Sequence, residues 1–115
     1  MSKQFRLTAD EIRPIATGYG SCFASDHITV EGRKVGFMYR EEADNEIDSG
    51  WRFLSGHESQ EYLDDPDHLS IYDVNTVANY DEGIVTHLSA SVGSAFARTE
   101  SGEFIEADAP SDPDA

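Results

Sequence analysis

The apolar residues of this chain arrive in short bursts, GSCFAS, VGFMYR, GWRFLSG and SVGSAFAR, each closed off by glycine, polar residues or acids. Bursts of about four to eight residues suit strands, whereas a helix needs a longer apolar stripe. In VGFMYR the period-two alternation sets Val35, Phe37 and Tyr39 on one face and Gly36, Met38 and Arg40 on the other. Trp51 and Phe53 share one side of GWRFLSG. ITVEGRKVGFMYRE reads as a hairpin turning at Glu31–Lys34, where Gly32 can take positive φ. The expected strands include 20–25, 35–40, 50–55 and 94–98, with a brief one from Leu69 to Tyr72. TESGEFIEA is placed to fold back on SVGSAFAR through Ser101–Gly102.

The helix signals are equally short. FRLTADEIRPIATG opens with the capping-box spacing Thr8–Glu11 and is limited by Pro14, Gly18 and Gly20. HESQEYLDDPD predicts a short helix stopped before Pro66. Asp73 caps a turn of helix, and Asp81 another that holds Ile84, Val85 and Leu88 on one side. Strands and helices interleave with no regular βαβ period and no internal repeat. The expected class is α+β: one small domain over residues 1–107, with an antiparallel or mixed sheet of about four to six strands. Residues 108–115, rich in Pro, Asp and Ala, are expected to form a disordered acidic tail.

With 38% apolar residues the core is modest, but six Phe, five Tyr and one Trp supply large units for burial. Cys22 stands alone, so no internal disulfide is possible. No long apolar run or apolar leader is seen, which sets the expectation of a cytoplasmic protein. The net charge of −15 is unevenly spread. Residues 1–40 carry six bases against four acids, whereas residues 41–67 carry ten acids against Arg52 alone. Such a field disfavours nucleic acid and anionic membrane as partners and favours a basic protein. Solubility is the plain alternative.

The chemical motifs fail one by one. Asp44, Glu46 and Asp48 alternate as in a calcium loop, but Ser49 and Ser55 stand where the EF-hand needs glycine and an acid. An irregular, weak calcium site stays open. His57-Glu58 begins like HExxH, yet Glu61 occupies the place of the second histidine, and His27, His68 and His87 share no spacing with it. No metal or cofactor is expected. Cys22, inside an apolar strand, packs as a small hydrophobe. Neither GSAFA nor GYGSC is a nucleophile elbow, and no Gly-Lys-Ser/Thr follows GYGS. The expectation is a binding protein rather than an enzyme. Trp51, between Asp48 and Glu58, is suited to hold Lys or Arg by cation–π attraction and charge pairing. The candidate contact residues are Asp44, Glu46, Asp48, Trp51, Glu58, Glu61 and Tyr62. For Trp51 the core is the commoner alternative.

One further pattern concerns SDHITVEGRKVGFMYREEADNEIDSGWRFLSGHES, then IYDVNTVANYD, then VGSAFAR. Taken in this order, from Ala24 to Arg98, they resemble the immunity protein 33 family of bacterial polymorphic-toxin systems. Glu82-Gly83 departs from the proline expected after Tyr80-Asp81. The resemblance implies an α+β fold, neutralisation of a toxin by binding, and no catalytic residues to carry over. Its motif includes Gly50 and Gly56, expected to serve turns, and Asn75 and Thr76, expected to cap or cross-link backbone. The acidic stretch then reads as a loop–strand–helix surface that holds a basic partner. The alternatives are a small acidic regulatory domain unrelated to toxins and a carboxylate-dependent enzyme.

Overall fold

Six strands, β1 (Ser21–Ser25), β2 (Phe37–Arg40), β3 (Asp48–Leu54), β4 (Leu69–Asp73), β5 (Ala95–Arg98) and β6 (Phe104–Glu106), form one mixed sheet in the order β4-β1-β3-β2-β5-β6. The structure is a computed structural model, and it describes residues 5–7 and 9–108. β1 and β3 run parallel, and the other neighbouring pairs are antiparallel. Among the described residues, three short helices, α1 (Asp26–Thr29), α2 (Gln60–Leu63) and α3 (Val74–Tyr80), and three 3-10 turns complete an α+β fold.

The core lies on one face of the sheet. Cys22, Ala24, Met38, Trp51 and Phe53 point there and meet Ile28 of α1, Val74, Val77 and Ala78 of α3, and Ile84 and Leu88 beyond it. Trp51 and Phe53 stack at 6.0 Å between ring centres, and both are fully buried. Each such side chain contributes roughly 2–3 kcal/mol by leaving water. The indole N–H of Trp51 donates to the Leu88 carbonyl at 3.2 Å, so its one polar atom is satisfied inside the core.

Asp73 and Asp81 are caps as expected from the sequence, and the structure adds Ser59. Ser59 starts α2 and accepts from the Tyr62 N–H, and Asp73 starts α3 and accepts from the Asn75 N–H. Asp81 caps the 3-10 turn Glu82–His87, accepts the Val35 N–H at 3.0 Å and pairs with Arg98 at 2.6 Å. One carboxylate thereby ties the helical layer to β5.

Three expectations need correction. ITVEGRKVGFMYRE is not a hairpin: Ser25 accepts the His27 N–H, the next residues turn into α1, and Ile28 enters the core. β2 pairs instead with β3 and β5. The alternation in β2 is as expected, with Met38 opposite Phe53 and Phe96 on the core side and Phe37 and Tyr39 on the other. Which of the two faces meets the helices is decided by cross-strand register, which a single burst cannot reveal. At the N-terminus the helix shrinks to the 3-10 turn Ala9–Glu11. The chain beyond it is held instead by Asn75 and Asn79, which accept the N–H groups of Arg13, Ile15 and Ala16. Gly50 lies inside β3 rather than in a flanking turn. Thr8 and residues 109–115, on which the capping-box and most of the tail expectations rest, lie outside the described residues.

Candidate protein-binding surface

The seven sequence-predicted contact residues do not form one patch. Asp44 and Glu46 lie in the loop before β3, while Glu58, Glu61 and Tyr62 follow its far end. A strand of this length separates the two groups by as much as about 20 Å. Glu41 to Ile47 are exposed throughout, and the Asp44 side chain is 71% accessible. Glu61 is exposed on α2 and Tyr62 is half-buried. Trp51 must be withdrawn as a contact: it is 0% exposed, because the alternation that places it beside Phe53 drives it into the core. Asp48 and Glu58 are withdrawn for a different reason, since their side chains are 4% and 2% exposed and are spent on internal bonds.

Asp48 holds Arg52 through both carboxylate oxygens at 2.9 and 2.8 Å, and Glu41 takes Nε of the same guanidinium. The guanidinium lies over the Phe23 ring at 4.7 Å. The Arg52 hydrogen bonds keep the Asp48 carboxyl far below the usual carboxylate range, against the opposing effect of burial. Burial works against a charged Arg52, but the bonds to Asp48 and Glu41 outweigh it. The lone base of the acidic stretch is thus fully engaged from within. Its isolation among ten acids was the available sequence signal for such a hub.

The loop carrying the exposed acids has a fixed shape. The Asn45 side chain accepts the N–H groups of Ile47 and Asp48 at 3.0 Å, and Asp48 accepts that of Asp44 at 2.9 Å. The Ile47 carbonyl receives the Ser21 N–H at 2.7 Å, which fastens the loop to the start of β1.

At the other end of β3 a buried polar knot forms. His27 Nδ1 lies 2.8 Å from Ser55 Oγ and 3.5 Å from Glu58, and Tyr62 packs at 4.5 Å from the imidazole. Serine, histidine and carboxylate together invite a hydrolase reading. The geometry speaks for a structural one. Glu58 accepts the N–H groups of Ser55 and Gly56 at 2.8 and 3.0 Å, which occupies the donors an oxyanion would need. Burial would raise the Glu58 carboxyl, but hydrogen bonds from Ser25 and from the backbone outweigh it and hold the group low. Cys22 is buried and its thiol is pushed well above its ordinary range, chiefly by burial, so it is a poor nucleophile.

Among known families, the Immunity protein Imm33 domain matches residues 22–108. The chain belongs to the Imm33 immunity protein domain family. A search of the curated proteins and one of the solved structures returned no match. The Imm33 match takes in the whole six-stranded sheet apart from the first residue of β1, together with the Arg52 hub and the His27 knot. No helix among the described residues is long and apolar enough to cross a membrane. Among those residues no group of three His, Cys, Asp or Glu is arranged to hold a metal ion.

Proposed function

We propose that this Imm33 domain is an immunity protein that neutralises a toxin by binding it, with no chemistry of its own, and that its acidic loop meets a basic face of that toxin. The observation that carries this is the contrast within one stretch. Asp48 and Glu58 are buried and bonded internally, while Glu42, Asp44 and Glu46 stand exposed beside an Arg52 already neutralised. The outward field is therefore negative and unopposed. A toxin that grips phosphates carries a basic surface, and an acidic inhibitor competes for it and is steered to it over a distance. The same field argues against nucleic acid or anionic membrane as a partner, and the reading places the protein in the cytoplasm.

The experiment is affinity capture of the tagged protein from its native host, identification of what comes with it by mass spectrometry, and expression of that partner with and without this chain. The expected result is a basic protein that arrests growth alone and is tolerated when the two are made together. A captured partner whose effect on growth is unchanged by co-expression would leave the regulatory-domain reading in its place.

A further inference from the structure

The sheet has two faces, and the helical layer covers one. The register places Phe23, Ile71, Arg52, Leu54, Phe37 and Tyr39 together on the opposite face. None of them belongs to the core cluster. Ile71 is 65% exposed on edge strand β4, and Ile105, continuing the same face on β6, is 54% exposed. Phe37 and Tyr39 touch each other, ring centres 5.9 Å apart, and both stay half-buried. A solvated sheet face usually alternates to polar residues, so an aromatic and aliphatic one marks a surface meant to be covered.

A depression of about 220 Å³ on this face is lined by Phe23, Tyr39, Leu54 and Leu69 together with Glu41 and Arg52. Glu41 is half exposed there and Asp44 lies just beyond. The apolar floor is thus continuous with the acidic margin. The residues after Asp108 include two further acids and no large apolar side chain, so they are poorly suited to cover it. A second copy would bring another net charge of −15 against the same acids.

We infer that this uncovered sheet face is a docking surface for a protein segment that combines apolar side chains with Lys or Arg. The apolar stem of a Lys or Arg lies on Tyr39, Leu54 and Leu69 while its cation reaches Glu41 and Asp44. The inference rests on the proposed binding role and names the surface and the chemistry of its partner.

The test is amide chemical-shift mapping on the isotope-labelled protein with three synthetic peptides: alternating Lys and Leu, alternating Glu and Leu, and alternating Lys and Ser. The Lys/Leu peptide should shift the amides of Phe23, Tyr39, Leu54 and Leu69. The Glu/Leu peptide should leave them unmoved, and the Lys/Ser peptide should bind at least about tenfold more weakly. Ile71→Lys, at an exposed position, should keep the unfolding midpoint and weaken the Lys/Leu peptide by a similar factor. Equal binding of the Lys/Ser and Lys/Leu peptides, shifts confined to the helical side or the sheet edges, no response, or a dimer in light scattering that hides this face would each overturn the inference. Protection by co-expression is read independently, so loss of this docking surface and loss of the immunity role are separate results.

Discussion

Asp48 and Arg52 stand four residues apart on one strand, yet their side chains meet at two points, 2.9 and 2.8 Å. On a straight strand such residues sit about 13 Å apart. The parallel register explains the approach: the two steps from Ser21 to Phe23 on β1 match the four from Asp48 to Arg52 on β3. The extra residues are folded out at Gly50, whose φ is +88°. The bulge thereby turns two exposed-looking charges into an internal pair.

Asp48→Asn should lower stability at neutral pH by about 1.5–3 kcal/mol, the range for a hydrogen bond to a charged group. The sign with pH follows from the depressed folded value of this carboxyl. Its contribution is complete above the unfolded value, near pH 4, and is lost as pH falls from there through the folded value. Urea unfolding at neutral and acid pH should show the gap between wild type and variant narrowing below about pH 4. A gap that widens on acidification would reverse the assignment.

Gly50→Ala should be costly for two reasons. A Cβ there would stand 2.2 Å from the Glu41 carbonyl oxygen, and the φ of +88° is unfavourable for any side chain. Gly93 is the control, with φ +97° and nothing within 4 Å of an added Cβ. Gly93→Ala should lose only the conformational cost, about 1–2 kcal/mol, and Gly50→Ala distinctly more. Thermal melts of the two variants compare them directly, and equal losses would mean that the contact with Glu41 relaxes freely.

Trp51→Ala should cost on the order of 3–5 kcal/mol of stability. A variant that remains as stable as wild type would place the indole outside the core and restore it as a contact residue. Trp51→Phe separates two contributions, since it keeps most of the ring burial and gives up the bond to the Leu88 carbonyl.

The strands and caps were legible because each rests on local chemistry. Asp73 and Asp81 announce helix starts a few residues away, and the bursts around Met38, Phe53 and Phe96 carry a clear strand composition. What the sequence hid is set by long-range register. Which of Phe37 and Met38 faces the helices depends on β3 and β5, and so does the existence of an apolar second face. The candidate site was only half legible for a related reason. Charge can be counted along a chain, but whether Asp48 and Glu58 spend theirs inside depends on the Gly50 bulge and on the Ser55–Glu58 turn. Asp44 and Glu46 needed no such partner and stayed outside.

The most direct measurement of the binding role is the association rate of the captured partner with wild type and with a Glu42→Lys/Asp44→Lys/Glu46→Lys variant, at low and at about 0.15 M salt. All three side chains are exposed, so the fold should persist with little loss of stability. The account predicts an association at least about tenfold slower for the variant at low salt, and a much weaker dependence on salt than wild type shows. An association rate indifferent to both the salt and the charge reversal would contradict it.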